Sequence, residues 1–330
     1  MKLRMMLASA TAVAALAAGP AAAVDMKIGF VTINDSQHRS GEWFAAEVAK
    51  RTKGAIAPRV FPAAQLGTIP RQIEGVLLGT QEVFMSPPGF FIGLNKALQA
   101  ADAPGLFTST DHQMRTLNHP TVRDKFMGLL AEKGVKGLYV WSAGGAGYAT
   151  RDPVDKLDDL KGRKIRVLAS PMERAMMTAI GVAGVPMAFT EVLPAIQQRV
   201  IDGVRAPVVV TGPAKFYTAA PHYIGEFGNY VPSVFWVNMK WLAKLTADQQ
   251  KVINEVAMET TAVAQKSAND IAALWEKKWT EEGGTVHKFS DADKKRIVDA
   301  YAPLGDKILG EDPAIAPMYN LIKAAAKATM

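Results

Sequence analysis

Apolar and polar positions alternate with two different periods along the N-terminal third of the chain. Runs that are apolar throughout or at every second position predict strands at 27–32, 56–61 and 82–85. Apolar positions three or four residues apart predict a helix over 41–52 and another that Thr68 caps and Gly79 ends. This order of strands and helices predicts a parallel sheet with right-handed crossovers.

The same alternation returns between residues 126 and 200. The predicted strands of this second unit are 137–141, 164–168 and 185–188. Ser170 and Glu173 match a helix capping box with Pro171 at the first helical position, and Thr190 is predicted to cap the following helix. Two α/β units in one chain predict two lobes with a cleft between them.

The C-terminal third has a helical pattern. Thr246 and Gln249 match a second capping box, and the pattern continues to about Glu282 without Pro or Gly, which predicts one unusually long helix. Further helices are predicted after Ser290 and Asp312. Because no linker rich in Pro or Ser separates the two units, we expect lobes that share elements or are joined by short crossings.

The first residues are predicted not to belong to the fold. Lys2 and Arg4 precede an apolar run over 5–18, which is short for a membrane span, and a small-residue cleavage site ends at Ala23. We expect a secretory signal over residues 1–23, cut after Ala23. Loss of its two basic residues lowers the net charge from +7 to +5. A bacterial-type signal on a chain without cysteine predicts a periplasmic protein.

Composition excludes several classes of site. The chain has no cysteine, which excludes a disulfide scaffold, a thiolate metal site and a cysteine nucleophile. Its 5 histidines lack metal-ligand spacing, and no phosphate-binding GxxxxGK[ST] loop is present. No block of basic residues interleaved with aromatic residues indicates nucleic-acid binding. We therefore expect no metal, no cofactor, no nucleic-acid partner and no ATP site.

One arginine stands inside an apolar strand. Alternation over 164–168 places Arg166 on the face opposite Ile165. It is either a solvated arginine of an edge strand or a guanidinium that binds a carboxylate near the strand end. Asn34 and His38 follow the first predicted strand, and the carboxyl ends of strands are where open α/β sheets bind ligands.

Four segments together resemble the periplasmic solute-binding proteins of TRAP transporters, the DctP-like family. In chain order they are 61–67 (FPAAQLG), 158–167 (DDLKGRKIRV), 186–203 (from PMAFTEV to VIDG) and the region from Asn238 to Leu242. They are spread over nearly the whole mature chain and follow the order of the family's motifs.

The resemblance implies an α/β fold of two lobes, like a type II periplasmic binding protein. It implies parallel-sheet lobes, hinge strands and a long C-terminal helix that spans both lobes. The expected division is 24–143 plus 232–271 for lobe I, and 144–231 plus 272–330 for lobe II. The implied function is transport rather than catalysis: a monomer binds a small organic acid by lobe closure and delivers it to the membrane subunits of an ion-driven TRAP permease.

The resemblance also assigns ligand-binding residues. Arg166 falls on the signature arginine that binds the substrate carboxylate in the family, and Phe189 falls on an aromatic residue that packs on the ligand. The other residues predicted to line the site are Tyr148, Phe90, Trp236, Asn238, Ala206 and Asn34. The four aromatic residues of this set are expected to form an enclosure. Arg205 is either a second cation for the ligand or part of a surface salt bridge.

The chain departs from sialic-acid-binding members at positions that serve a sugar acid. Val31 and Ala206 replace an asparagine, Pro87 aligns near a charged group, and Gly147 with Tyr148 beside it replaces a second arginine. On apolar walls, sugar hydroxyls would stay unpaired at about 1–3 kcal/mol each. We therefore expect a smaller or more apolar organic acid: an aromatic carboxylate, a short 2-oxo or 2-hydroxy acid, or a dicarboxylate.

Two other functions fit the same sequence. A periplasmic enzyme acting on an organic acid would need a general base, for which His38, Glu191 and Asp202 are the candidates. A protein that presents its ligand to a sensor would use the same closed lobes. Turnover of the bound acid would indicate the enzyme, and loss of a transcriptional response with uptake intact would indicate the sensor.

Overall fold

The computed structural model describes residues 23–225 and 228–330, so the predicted signal lies outside the described residues apart from Ala23. The strands are β1 (Val24–Gly29), β2 (Ile56–Phe61), β3 (Val83–Ser86), β4 (Val135–Gly145), β5 (Gly147–Thr150), β6 (Lys164–Val167), β7 (Ala183–Pro186), β8 (Gly203–Ala206), β9 (His222–Ile224), β10 (Tyr230–Asn238) and β11 (Thr285–His287). The helices are α1 (Ser36–Arg51), α2 (Ile69–Leu78), α3 (Thr110–Leu117), α4 (Pro120–Met127), α5 (Pro171–Ala179), α6 (Phe189–Gln197), α7 (Val208–Thr211), α8 (Met239–Leu242), α9 (Ala247–Glu281), α10 (Asp291–Leu304) and α11 (Ala316–Ala328). Short 3-10 turns include Pro88–Phe91 and Lys96–Asp102, and a π-helical segment follows α10 at Gly305–Gly310. Within the two described ranges, no helix combines the length and the apolar content that a membrane crossing requires.

The first sheet has five strands in the order β2-β1-β3-β10-β4. β1 pairs in parallel with β2 and β3, as the strand-helix alternation predicts, whereas β10 runs antiparallel to both β3 and β4. The sheet is therefore mixed rather than wholly parallel. Its two long strands, β4 and β10, are the ones that connect to the other lobe, one leaving and one returning.

The second sheet has six strands in the order β11-β9-β5-β8-β6-β7. β6 lies between β7 and β8 and is parallel to both, while β5 runs antiparallel to its neighbours β8 and β9. β6 is therefore an inner strand, which excludes the solvated edge-strand interpretation of its arginine. The two-lobed α/β fold predicted from the sequence is confirmed, with mixed sheets in both lobes.

The chain crosses between the sheets at two adjacent points. β4 of the first sheet leads through Ala146 into β5 of the second, and the Ala146 amide donates to the carbonyl of Asn229, which directly precedes β10. The crossing is tightly packed, because a Cβ placed on Gly147 would lie 2.3 Å from the Tyr223 hydroxyl. These paired crossings are the hinge strands that the family resemblance implied.

The long helix α9 contacts both lobes. Its N-terminal part packs on α1 and β4, with Ile253 and Val256 buried there. Its C-terminal part packs near α7 and β11, where Trp279 is buried and its indole Nε1 donates to the Pro221 carbonyl at 2.8 Å. The capping box at Thr246 forms as predicted, with reciprocal hydrogen bonds to Gln249.

The last helix does not follow the predicted lobe division. α11 packs against α3, α4 and the turn Lys96–Asp102, all of which belong to the predicted lobe I, and the Ala326 carbonyl lies 2.8 Å from the Nε2 atom of His112. The prediction assigns residues 316–328 to lobe II, but their apolar face is buried on lobe I. The remainder of the predicted division stays a prediction.

Three predicted helix caps do not form. Thr68 stands at the N-cap position of α2, but its side chain makes no capping hydrogen bond. Ser170 precedes α5, but its side chain makes no capping hydrogen bond, and the Glu173 carboxylate that would complete the box binds Arg205. Thr190 is the second residue of α6 rather than its cap, since the helix begins at Phe189.

Candidate ligand-binding cleft

A cleft that is open to solvent at its mouth lies between the two sheets. It is bordered at the carboxyl ends of β1, β3, β6 and β8, the position where parallel α/β sheets bind ligands. Both lobes contribute to its walls. The lining residues are Val31, Thr32, Gln37, Ile69, Met85, Ser86, Pro87, Phe90, Ala143, Ala146, Arg166, Leu168, Glu173, Phe189, Arg205, Ala206, Pro207, Val210, Val231 and Ser233.

Arg166 is buried at the wall of this cleft, with 1% of its surface exposed. Its Nε atom donates to the Met187 carbonyl at 3.0 Å, which orients the guanidinium. Its Nη2 atom is buried and finds no hydrogen-bond acceptor within residues 23–225 and 228–330. Burial lowers the pKa of this guanidinium to about 10, against a smaller opposing effect of Glu173. The site thus holds a desolvated cation with an unused donor, the arrangement that favours an incoming carboxylate.

Aromatic side chains stand beside the cation. The guanidinium carbon of Arg166 lies 5.9 Å from the ring centroid of Phe189, within the range of a cation–π contact. Phe189 in turn packs on Phe216 with ring centroids 5.5 Å apart. Phe90 comes from the turn after β3 and borders the cleft from the other lobe. The cation is therefore flanked by apolar surface from both lobes.

A second arginine borders the cleft but is held in a salt bridge. The Nη1 atom of Arg205 lies 2.6 Å from both carboxylate oxygens of Glu173, and its Nη2 atom donates to the Asn229 side-chain oxygen at 3.1 Å. Both charged side chains are 1–2% exposed. Burial lowers the pKa of Arg205, but the Glu173 carboxylate and the hydroxyls of Tyr148 and Tyr301 outweigh it, so the pKa lies above its usual range. The sequence left a ligand cation and a surface salt bridge open; the structure has a buried salt bridge.

The same network reaches the hinge. Asn229 donates from its side-chain nitrogen to the Asp102 carbonyl at 3.0 Å, which links Arg205 to the end of the turn Lys96–Asp102. The Asp102 side chain is buried, and burial first and the nearby Glu173 second raise the pKa of its carboxyl to about 8. At neutral pH this carboxyl is therefore mostly protonated and uncharged.

The polar side chains on the opposite wall are short or already bonded. Gln37 donates to the Thr32 hydroxyl at 3.1 Å and to the Asp35 carboxylate at 3.3 Å. Ser86 donates to the Pro87 carbonyl at 3.3 Å. The Ser233 hydroxyl on this wall is buried and has no hydrogen-bond partner within residues 23–225 and 228–330, so the cleft offers this donor besides Arg166.

The structure brings four of the predicted site residues together. Arg166, Phe189, Phe90 and Ala206 all line the cleft. Their contact with a ligand stays a prediction, because a position in the cleft wall does not by itself establish such a contact.

Two of the predicted aromatic residues do not line the cleft. Tyr148 is buried in the lobe II core, where its hydroxyl lies 3.4 Å from that of Tyr301. Trp236 is buried against Phe91, and its indole nitrogen donates to the Ser86 carbonyl. Side chains alternate along β10, which pairs with β3 without a break from Val234 to Val237, so Trp236 lies on the face opposite the cleft-lining Ser233. The four-ring enclosure predicted from the sequence is therefore reduced to Phe90 and Phe189.

Two predicted asparagines are also placed elsewhere. Asn238 caps α8 by accepting from the Trp241 amide at 2.8 Å and donates to the Val76 carbonyl at 2.7 Å, so both ends of its amide are used inside the protein. Asn34 is exposed in the turn before α1, where its backbone nitrogen donates to the Nδ1 atom of His38. Their position in the motif, or after a strand, reflects local backbone geometry rather than contact with the cleft.

The three general-base candidates also lie away from the cleft walls. Glu191 is exposed on α6, and Asp202 accepts from the Lys164 amide at 2.8 Å and from Arg151 at 3.0 Å. His38 packs beside Phe30, with ring centroids 5.5 Å apart.

Sequence reasoning missed Glu173 as part of the site. Its signal was present, since Glu173 follows the Arg166 strand by only a few residues, but the same position fits a capping box. Gln37 and Thr32 were missed because a polar residue after a strand is common in loops.

A known family matches most of the chain. The sequence profile described as bacterial extracellular solute-binding protein, family 7 (DctP), matches residues 29–312. The chain belongs to this family. The 2,3-diketo-L-gulonate-binding periplasmic protein of Escherichia coli (strain K12) is 32% identical to it over 298 residues, which cover 89% of each protein.

Solved structures give the same assignment. A TRAP periplasmic solute binding protein from Shewanella oneidensis with bound succinate is 25% identical and has a TM-score of 0.85, covering 92% of this chain and 100% of that chain. A sugar acid binding protein from Advenella mimigardefordensis in complex with galactonate is 24% identical with a TM-score of 0.87, covering 93% and 99%, and shares the fold. The resemblance seen in the sequence is confirmed: the protein is a DctP-like periplasmic solute receptor of the TRAP type, a class that binds organic acids.

Proposed function

We propose that this receptor captures one small organic acid by closure of its lobes and that Arg166 binds the acid's carboxylate. The observation that carries the proposal is the buried Nη2 atom of Arg166, which has no acceptor in the described part of the chain, on a side chain that lines the interlobe cleft. A buried donor without a partner costs about 1–3 kcal/mol. A carboxylate that enters the cleft removes that cost and neutralises the charge.

The site is organised before the ligand arrives. The Nε–Met187 hydrogen bond and the Phe189 ring restrict the guanidinium, so little side-chain freedom is lost on binding. Water exclusion between apolar walls strengthens the ion pair, since the effective dielectric constant falls well below that of water.

The walls favour an acid with few hydroxyl groups. Apolar side chains make up most of the lining, and the hydrogen-bonding capacity of Gln37 and Ser86 is partly used within the protein. The Escherichia coli relative is named for 2,3-diketo-L-gulonate and the Advenella protein was crystallised with galactonate, both sugar acids. Sugar hydroxyls placed against Val31, Phe90 or Ala206 would have no partner there. We therefore infer a smaller or more apolar acid for this receptor.

Closure follows from the way the cleft is built. Residues of both lobes face one another across it, and the chain passes between the lobes beside Ala146 and Asn229, along α9, and again between α10 and α11. A ligand that contacts both walls binds the closed form better and shifts the population toward it. The closed, loaded lobes then present one surface to the membrane subunits of a TRAP permease.

A panel experiment tests the carboxylate part of the proposal. Purified protein is heated with butanoate, 2-hydroxybutanoate, benzoate, succinate, malate and phthalate, and the primary amide of each best acid serves as the neutral control. An acid present at 100 times its dissociation constant adds about 2.7 kcal/mol of stability, which raises the melting temperature. We expect stabilisation by at least one acid and by none of the amides. Equal stabilisation by an acid and its amide, or none by any acid, would refute the role of the carboxylate.

Delivery to a permease needs its own test. Proteoliposomes that contain purified TRAP membrane subunits are supplied with the labelled acid, with and without this receptor. We expect uptake only with the receptor and an imposed ion gradient, and receptor-independent uptake contradicts the delivery step.

A further inference from the structure

Three charged side chains border the cleft. They are Arg166, Glu173 and Arg205, and each exposes only 1–2% of its surface to solvent. No other Lys, Arg or His belongs to the cleft lining within the described part of the chain. The lining therefore carries two positive charges and one negative charge.

The negative charge is committed to one arginine. Glu173 and Arg205 face each other at 2.6 Å through both carboxylate oxygens, and Asn229 occupies a further donor of the same guanidinium. The two charges of this close, desolvated pair cancel in the sum, so the pair adds no net charge to the lining. Arg166 has no carboxylate within salt-bridge distance among the ion pairs of residues 23–225 and 228–330. One positive charge is left over for the ligand.

The other acidic groups near the cleft cannot balance the charge of a second carboxylate on the ligand. Asp102 lies behind the Arg205 pair and Asp35 behind Gln37, and both are buried. Ionised, each adds negative charge; protonated, each is neutral. A second carboxylate on the ligand would therefore be buried without a counter-charge and close to Glu173, an arrangement that disfavours its binding.

On this balance of charge, and resting on the proposed function, we propose that the Glu173–Arg205 pair makes the receptor selective for acids with a single carboxylate. Glu173 acts through Arg205 as a specificity-determining residue: it removes from the ligand the second cation that a dicarboxylate would need. The succinate-bound Shewanella protein shows that the fold itself accepts a diacid, so the selectivity comes from these side chains.

Titration calorimetry at pH 7.5 tests the proposal on pairs of equal carbon skeleton or ring. The pairs are butanoate with succinate, 2-hydroxybutanoate with malate, and benzoate with phthalate. For the wild-type receptor we expect the monoacid of every pair that binds to have a dissociation constant at least about tenfold lower than its diacid. A diacid bound as tightly as its monoacid overturns the proposal.

Two variants assign the selectivity to the pair. In E173Q the Arg205 charge is free, and we expect the affinity ratio to move at least about tenfold toward the diacid. In the double variant E173Q/R205M the cleft again has one cation, and we expect the wild-type ratio to return. A folded E173Q protein, checked by its circular dichroism, with an unchanged ratio overturns the proposal. If E173Q does not fold, the wild type and the double variant decide, since both must prefer the monoacid.

The same measurements separate this inference from the proposed function. Binding of a diacid in preference to its monoacid, abolished by R166M, leaves the proposed function intact and refutes only the selectivity. Failure of the wild type to bind any of the six acids refutes both.

Discussion

Replacing Arg166 by Met is expected to weaken ligand binding while it stabilises the empty protein. The methionine keeps an apolar stem beside Phe189 and removes the guanidinium. Loss of one partner of a buried, hydrogen-bonded charge pair costs about 2–5 kcal/mol, which is roughly a 30- to 4,000-fold increase in the dissociation constant. The largest effect is expected for the acid that stabilises the wild type most.

The stability change has the opposite sign. Burial lowers the pKa of Arg166 from its usual range to about 10, so the fold disfavours the charged form at every pH below about 10. Each pKa unit corresponds to about 1.4 kcal/mol, which puts the cost of holding this cation at about 3.5 kcal/mol. Opening of the lobes hydrates the guanidinium and reduces the cost. The ligand-free variant should therefore unfold with a free energy equal to that of the wild type or higher by up to about 3 kcal/mol.

Calorimetric titration and urea unfolding of the same preparations measure the two effects. Arg174 on α5 gives the matched control, since Arg174→Met removes one positive charge from the same lobe at a position outside the cleft lining. We expect the control to bind like the wild type. An R166M protein with unchanged affinity, or with weak affinity explained by a stability loss above about 1 kcal/mol, would refute the reasoning.

The remaining predictions concern the hinge, the aromatic wall and a residue outside the cleft. The pKa of Asp102 is about 8 in the folded protein against 3.8 for an ordinary aspartic acid, so the unfolded chain binds fewer protons between these values and stability falls as pH rises. Asp102→Asn removes this slope of about 1.4 kcal/mol per pH unit. Between pH 5 and pH 8, the unfolding free energy of the variant should therefore rise by about 1–4 kcal/mol relative to that of the wild type. Phe189→Leu removes the ring beside Arg166 and should weaken acid binding about 3- to 30-fold in calorimetric titration. Asn238→Ala should lose about 2–3 kcal/mol of stability in urea unfolding, from a lost cap and an unpaired Val76 carbonyl, with affinity unchanged within about twofold.

Each of these results has a clear opposite. Parallel pH profiles of the wild type and D102N would mean that the Asp102 carboxyl is ionised in the folded protein. Wild-type affinity in F189L would remove Phe189 from the ligand contacts. A large affinity loss in N238A at unchanged stability would mean that Asn238 contacts the ligand, contrary to its position in the structure.

Much of the local structure follows from the sequence because its causes are local. The helix α9 is predicted from Thr246 to about Glu282, since a capping box and an unbroken apolar spacing act over a few residues at a time. Arg166 is recognisable for the same reason: a charged residue inside an apolar strand needs a partner, and alternation fixes the face on which it stands.

The tertiary structure decides which of the candidate side chains meet. Glu173 and Arg205 are 32 residues apart, and the short segment around Glu173 fits a helix cap equally well until β8 places a guanidinium beside it. Trp236 is buried in the core because β10 lies between β3 and β4, a position that long-range strand pairing sets. The sequence by itself thus determined many of the elements and drew attention to Arg166, whereas the folded arrangement of distant strands determined the charge balance around it, because electrostatic partners are chosen by distance in space.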